Sequence, residues 1–332
     1  MAEVCVVTPD PARCPGGGEH IEFIRSEAGT DFHFGRTLAR VSSELGLDGF
    51  LYFGSGSGGL MPEEDLARMA SFASGDAPRA LFNNFYSCDF CAVACAGQAL
   101  AADLPSIDNP LGFALSDAGV PCLALPRSAS TQFDIDTPTD LLVAAESALE
   151  LGELRAFCLG LESDHPSLGR ALAVLTERSA TTMLVGRLSP ATWSHFEGEV
   201  ASRTSALVEG RGMRAGSSQH LLWVRQVLAE DGPTVFFERL ARACDAAWID
   251  TRPLLGTEAA TAPASDRFAS DLYRIEEIRD PAWRAFTAAA LRSPIPVVLG
   301  GHSLVGGDLY LAAQACWKGR NLARRLHPET FA

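Results

Sequence analysis

One nonapeptide decides the fold: Phe133-Asp134-Ile135-Asp136-Thr137-Pro138-Thr139-Asp140-Leu141. Its first residues alternate in polarity and predict the end of a β-strand that presents two carboxylates, Asp134 and Asp136. The threonine that follows is a typical helix N-cap, the proline suits the first helical position, and the next aspartate completes a capping-box pattern. A strand that ends at a helix N-terminus is where α/β proteins bind ligands. We therefore expect a ligand site here.

Short apolar runs alternate with segments of helical spacing on both sides of this stretch. The predicted strands are Glu3–Pro9, Gly49–Phe53, Arg79–Phe85, Phe90–Ala96, Pro121–Pro126, Ala156–Leu161, Thr181–Gly186, Thr204–Glu209 and Ile295–Gly300. The predicted helices are Phe34–Leu45, Pro62–Ser74, Leu111–Asp117, Pro138–Leu149, Pro190–Ala201, Gln219–Ala229, Thr234–Ala246, Pro281–Leu291 and Leu304–Cys316. Asp10–His20 and Gly256–Asp266 are predicted to be loops. This alternation predicts an α/β protein with a largely parallel sheet and helices on both faces.

The charge of the chain changes near its middle. Residues 1–150 contain 7 arginines and 21 acidic residues, whereas residues 151–332 contain 20 basic and 20 acidic residues. This step predicts two domains, 1–150 and 151–332. A net charge of −14 disfavours nucleic-acid binding, which needs a basic surface.

The remaining composition bears on the cellular setting. Nine cysteines lie mostly in apolar runs, which is typical of reduced, buried thiols. The first residues lack a signal-peptide pattern, and no apolar run reaches the ~20 residues that a membrane span needs. We therefore expect a cytoplasmic protein without a membrane partner.

The nonapeptide resembles the Asp-x-Asp/Asn-Thr-Pro-x-Asp-Leu motif of nucleotidyltransferases with a GT-A-like fold. Within that superfamily it is similar to the molybdenum-cofactor nucleotidyltransferases and the 2-phospho-lactate guanylyltransferases, and the resemblance covers residues 1–150. It implies a Rossmann-like three-layer domain for residues 1–150, and the alternation of strands and helices predicts a second α/β domain after it. It also implies Mg²⁺-dependent transfer of a nucleotidyl group from an NTP to a small phosphorylated or carboxylated acceptor. By this resemblance Asp136 is a metal ligand, and Asp134 is its neighbour on the strand.

Two parts of the family's pattern differ here. The family's opening glycine loop is followed by a lysine, whereas Gly16, Gly17 and Gly18 have none nearby, since Lys318 is the only lysine of the chain. Glycines also stand where the first metal-binding aspartate belongs, and Asp89 is the nearest replacement as catalytic residue and metal ligand. These differences leave open a diverged, non-catalytic ligand-binding protein of the same fold.

A second glycine pattern suggests another class of function. Gly54, Gly56 and Gly59 form Gly-x-Gly-x-x-Gly between a predicted strand and a predicted helix, which is the dinucleotide-binding pattern. Backbone N–H groups in such a loop can hold phosphate. An NAD(P)-dependent oxidoreductase is therefore an alternative, and a plain Gly/Ser turn is another.

Three polar stretches in the second half are further candidates for binding a small-molecule substrate. They are Glu209–Arg214 with Arg211 and Arg214, Asp266–Asp271, and Gly300–Asp308 with Gly301, His302 and Ser303. Arginines suit phosphate or carboxylate, and a histidine beside a serine suits proton transfer or donation. For each stretch a surface turn is the alternative. A homo-oligomer remains open as well.

Overall fold

The computed structural model describes residues 4–14, 21–27, 29–147, 152–160, 165–209, 223–255 and 262–319. The chain divides into two compact units, Met1–Arg127 and Ser128–Ala332. The division comes before residue 150, so the nonapeptide at 133–141 belongs to the second unit. No helix in these ranges is both long enough and apolar enough to cross a bilayer.

The described residues of the first unit form six strands and four α-helices. The strands are β1 (Val4–Thr8), β2 (Ile21–Arg25), β3 (Gly49–Phe53), β4 (Arg79–Phe82), β5 (Phe90–Ala94) and β6 (Cys122–Ala124). The helices are α1 (Phe34–Glu44), α2 (Glu63–Ala73), α3 (Ala96–Ala99) and α4 (Leu111–Asp117). β1 and β2 pair in parallel, and the other four strands form one sheet in the order β3-β5-β4-β6.

The sheet of the first unit is mixed. β5 runs antiparallel to both β3 and β4, and only β4 and β6 pair in parallel. Successive β5 residues alternate between two cores: Cys91 and Val93 pack on the side of α1 and α4, and Phe90 and Ala92 on the side of α2. The expectation of a largely parallel sheet was therefore wrong for this unit, because β4 and β5 form a tight antiparallel pair.

The described part of the second unit contains four strands and, besides the helical residues 251–255, the nine α-helices given below. The strands are β7 (Thr181–Gly186), β8 (Arg203–Val208), β9 (Ala246–Asp250) and β10 (Val297–Gly300). The helices are α5 (Ala129–Gln132), α6 (Pro138–Glu146), α7 (Gly152–Gly160), α8 (Leu168–Val174), α9 (Pro190–Glu199), α10 (Trp223–Ala243), α11 (Ala264–Asp271), α12 (Pro281–Leu291) and α13 (Gly307–Ala315). α10 is interrupted at Gly232, whose φ of 72° is not helical.

All strand pairs of the second unit are parallel, and the order across the sheet is β10-β9-β7-β8. Alternate residues of the strands, such as Val185, Ile249 and Leu299, pack into a core with aromatic side chains of α10 and α12. α8 contacts β9 and β10, and α6 contacts β10. The prediction of an α/β protein with parallel strands is therefore confirmed as a general fold class.

Four local predictions were wrong. Ala156–Gly160 is not a strand but belongs to α7. The leucines, alanine and arginine of α7 favour helix, and α7 has no β-branched residue. Ala246 begins strand β9 rather than ending a helix. All five β9 residues are buried, so the strand lacks the alternation of apolar and polar residues by which a strand is predicted. Ile21–Arg25 is a strand that was not predicted, and α11 replaces the end of a predicted loop.

A fifth correction concerns the nonapeptide itself. Residues 133–137 do not form a strand, and Asp134 makes only an isolated bridge. The backbone N–H groups of Asp136 and Thr137 both donate to the Asp140 carboxylate, at 2.8 and 2.6 Å. These donors are therefore not available to a sheet.

Candidate functional site

The polar side chains of the second unit gather at the carboxyl ends of its parallel strands. β7 leads to β8 on one side of the sheet, and β9 leads to β10 on the other, so the direction of the strand order reverses between β7 and β9. Open parallel sheets bind ligands at this reversal, outside the carboxyl ends of the strands. Arg187 directly follows β7, and Asp250 is the last residue of β9.

Arg187 and Asp250 form a two-pronged ion pair at this point. Arg187 Nε and Nη2 donate to Asp250 Oδ2 and Oδ1 at 2.6 and 3.2 Å. The Asp250 side chain is fully buried. Gly186 makes room for it: its φ is +128°, and a Cβ there would lie 2.5 Å from Asp250 Cβ. The Gly-Arg step after β7 thus fixes the guanidinium at the edge of the sheet.

A second arginine is held in the same way from the next strand. Arg252 Nη1 donates to Asp271 Oδ1 at 3.0 Å, and its Nη2 donates to Asp271 Oδ2 at 2.5 Å. The guanidinium also lies 5.5 Å from the Trp283 ring, a cation–π distance. Burial opposes the charge of Arg252, but Asp271 outweighs it and raises the arginine pKa. Burial raises the pKa of Asp271, against the effect of Arg252.

These arginines line a cavity of about 190 Å³, which we call the arginine pocket. Its wall is formed by Arg187, Arg252, Arg267, Asp136, Thr137 and His302, with Phe268 and Gly301. Arg267 lies on α11 and donates to the Ala262 carbonyl at 3.0 Å. Desolvation and then the nearby charge of Arg252 lower the pKa of Arg267, so these two guanidinium groups are close enough to repel.

The charges around the arginine pocket are arranged in two layers. The guanidinium groups lie on its wall, whereas Asp250 and Asp271 are fully buried behind them. The buried aspartates fix the orientation of Arg187 and Arg252 and compensate their charge. Arg187 Nη1 is not used in the pair with Asp250, so donors remain for a ligand.

Another part of the pocket wall comes from the nonapeptide. Asp140 anchors it by accepting the N–H groups of Asp136 and Thr137, and the buried carboxyl group of Asp308 on α13 lies near enough to Asp140 to affect its pKa. Burial raises the pKa of Asp140 to about 7 and that of Asp308 well above its usual value, so we expect this pair to retain a proton at neutral pH. Asp136 is exposed on the pocket wall. The Thr137 hydroxyl is buried and has no hydrogen-bond partner among the described residues.

The glycine-rich stretch after β10 packs against this wall. A Cβ on Gly301 would lie 2.8 Å from Thr137 Cγ2, and one on Gly307 would lie 2.3 Å from Gln132 O and Phe133 Cα. The Ser303 hydroxyl donates to the Asp134 carbonyl and accepts the Asp134 N–H at 3.4 Å. Gly301 and Ser303 therefore allow the glycine-rich stretch to pack closely against the nonapeptide. Of Gly301, His302 and Ser303, only His302 contributes a side chain to the pocket lining.

Comparison of the chain with protein-family models, curated proteins and solved structures found no match. The assignment of the site therefore depends on its geometry.

Two of the predicted site residues of the first unit, Gly54 and Asp89, are joined by a hydrogen bond. Gly54 N–H donates to the Asp89 carbonyl at 2.8 Å, and the Asp89 carboxylate accepts from Asn83 Nδ2 at 2.7 Å. Gly56 and Gly59 lie in the turn before α2. That helix begins with three acidic residues, Glu63, Glu64 and Asp65, which disfavour a phosphate at its N-terminus.

The remaining predicted site residues do not form a metal site within the described part of the chain. Gly16, Gly17, Gly18, Arg211 and Arg214 lie outside the described residues. Asp89 and Asp136, the two predicted metal ligands, lie in different units. In the described part of the chain, no group of three or more His, Cys, Asp or Glu side chains is placed to hold a metal ion. Mg²⁺ is commonly held by one or two carboxylates together with substrate phosphates, and Asp136 fits that more limited role.

Asp136, Gly301 and His302 of the pocket lining were predicted from the sequence, whereas its arginines and their aspartate partners were not predicted as site residues. Arg187, Asp250 and Arg252 were not predicted, and Arg267 and Asp271 were noted only as part of a charged stretch. An arginine directly after a buried strand, as in Gly186-Arg187, is a signal that could have found the first of them.

Proposed function

We propose that the second unit binds a small phosphorylated or carboxylated molecule in the arginine pocket. The observation that carries this proposal is the convergence of three guanidinium groups, from Arg187, Arg252 and Arg267, on one cavity at the reversal of the strand order. Arginine donors in a fixed fork match the paired oxygens of carboxylate and phosphate. A ligand there needs little reorganisation of the protein, because buried aspartates already orient two of the arginines.

The arginine pocket is small. Its cavity has a volume of about 190 Å³. This is smaller than the ~300–1,000 Å³ of typical drug-sized sites. The pocket therefore suits an anionic head group with a few carbon atoms.

Isothermal titration calorimetry with propyl phosphate tests the proposal. Arg267→Gln removes one guanidinium and leaves the Arg187–Asp250 and Arg252–Asp271 pairs in place. Arg274→Gln is the matched control, since Arg274 follows the same helix but is exposed. We expect Arg267→Gln to weaken binding about tenfold or more, the loss of one charged hydrogen bond, with little change for the control. Failure of the wild-type protein to bind, or equal binding by Arg267→Gln, would overturn the proposal.

Mg²⁺-dependent nucleotidyl transfer is a second candidate, and the position of Asp136 supports it. Its carboxylate lies on the wall of the arginine pocket, so a nucleotide-bound Mg²⁺ held there would be next to an anionic acceptor. When bound, the metal would neutralise triphosphate charge, and the arginines would orient the acceptor.

Nucleotide binding tests this candidate separately. Thermal unfolding is measured with ATP, GTP, CTP or UTP, each with and without Mg²⁺, for the wild type and Asp136→Ala. A Mg²⁺-dependent stabilisation by one nucleotide that Asp136→Ala abolishes supports the transferase. Nucleotide binding without pyrophosphate release in the presence of acceptors would instead support the non-catalytic alternative. No stabilisation by any nucleotide contradicts both.

A further inference from the structure

The arginine pocket has two chemically different walls. Arg187, Arg252 and Arg267 supply hydrogen-bond donors with positive charge. The second wall, here called the Asp136 wall, is the part of the lining where Asp136 supplies a carboxylate, which only accepts hydrogen bonds when ionised. A bare anion uses the first wall and leaves the second without a partner.

His302 adds a second acceptor to the Asp136 wall. Its Nε2 lies 3.2 Å from the Arg187 carbonyl oxygen, and since a carbonyl can only accept, Nε2 carries the proton. In the neutral ring this leaves the lone pair on Nδ1. His302 and Asp136 thus both seek a hydrogen-bond donor.

We propose that the ligand of this pocket is a short anion that also carries a hydroxyl group, with the anion on the arginines and the hydroxyl on Asp136 and His302. This inference rests on the proposed function, because it assigns the neutral part of the same ligand. A hydroxylated phosphate ester or hydroxy acid of about three carbons meets both walls within the available volume.

The same arrangement selects against molecules with two anionic groups. A second carboxylate or phosphate would face the negative charge of Asp136 and would leave its hydrogen-bonding needs unmet. Like charges brought together in this way discriminate against the wrong partner. Asp136 and His302 are therefore specificity-determining residues in this proposal.

The test compares sn-glycerol 3-phosphate with propyl phosphate, which has the same carbon chain without hydroxyls. Calorimetric titrations are run in EDTA, so that no metal ion occupies Asp136. We expect the wild type to bind glycerol phosphate about tenfold or more tightly than propyl phosphate, the gain from a hydrogen bond to a charged group. Asp136→Ala should lose this preference while still binding propyl phosphate. Arg267→Gln is the control that should weaken both ligands by a similar factor.

The outcomes separate the two proposals. Equal affinity of the wild type for the two esters, or an undiminished preference in Asp136→Ala, would overturn the hydroxyl assignment and leave the anion site intact. Binding of neither ester by the wild type would overturn the proposed function itself.

Discussion

Arg187 Nε lies 2.6 Å from Asp250 Oδ2, and this pair joins the ends of the two strands between which the strand order of the second sheet reverses. Asp250 is fully buried, and the Arg187 side chain is only 13% exposed. Without its arginine, the aspartate would be a buried and uncompensated charge. The pair therefore contributes to both folding and the geometry of the pocket.

Replacing Arg187 should destabilise the second unit. We expect Arg187→Met to lower the free energy of unfolding by about 3–5 kcal/mol, the usual cost of breaking a buried ion pair. Urea unfolding followed by tryptophan fluorescence measures this selectively, because all five tryptophans lie in the second unit. Arg274→Met, which breaks an exposed pair with Glu277, should cost less than about 1 kcal/mol. Equal losses in the two variants would contradict this account.

The close contact between α13 and the start of the nonapeptide predicts that a larger side chain at Gly307 destabilises the second unit. A Cβ at Gly307 would meet backbone atoms of Gln132 and Phe133 at 2.3 Å, so Gly307→Ala should lower the free energy of unfolding by about 1–3 kcal/mol. Gly169→Ala is the control: it is also helical, nothing lies within 4 Å of its Cβ position, and we expect a gain of up to about 1 kcal/mol. Tolerance of alanine at Gly307 would mean that the close packing is absent.

The stability of the second unit should fall in mild acid because of His165. Burial lowers the pKa of His165 from 6.5 to about 4, while its Nδ1 accepts the N–H groups of Ser167 and Leu168 at the start of α8. The unfolded chain takes up this proton near pH 6.5 and the folded chain only near pH 4, so stability is lost as the pH falls between these values.

His165→Asn isolates this effect, since asparagine can accept the same N–H groups but does not titrate there. Between pH 7 and pH 4 the wild type should lose on the order of 3 kcal/mol more than the variant, at ~1.4 kcal/mol for each unit of pKa. Identical acid dependence of the two proteins in urea unfolding would refute the prediction.

The raised pKa of Asp308 predicts that the stability of the second unit also falls in the other direction, as the pH rises. Burial, followed by the negative charge of Asp140, raises the pKa of Asp308. The unfolded chain therefore releases this proton at lower pH than the folded chain, and stability is lost as the pH rises. Asp308→Asn supplies its own N–H donor to Asp140, so it should flatten the dependence between pH 5 and pH 8. The control is Glu277→Gln, which removes an exposed charge and should leave the pH dependence of the free energy of unfolding unchanged. The same pH dependence in Asp308→Asn and the wild type would count against a proton retained by Asp308.

The sequence predicted those parts of the fold that have local signals. Thr181–Gly186 and Pro281–Leu291 have the predicted bounds, since the first is a buried apolar run that ends at a glycine and the second starts with Asp280-Pro281, an N-cap before a proline. β9 has no such signal: its two alanines favour helix and its burial removes the alternation.

The site was less predictable because its main contacts join distant parts of the chain. Arg187 and Asp250 are 63 residues apart, and the Ser303–Asp134 contact spans 169 residues. Nothing in the local pattern of either partner indicates the other. The nonapeptide was predicted to be part of a site, but the arginines that line the pocket together with Asp136 could be found only from the folded chain.

Anomalous diffraction from a crystal soaked in selenate tests the central claim, that the arginine pocket is an anion site, most directly. Selenate is a tetrahedral oxyanion like phosphate, and its selenium can be located from its anomalous signal. The account predicts a peak between Arg187, Arg252 and Arg267, and its loss in crystals of Arg267→Gln. A pocket without a peak, in crystals that bind selenate elsewhere, would contradict it.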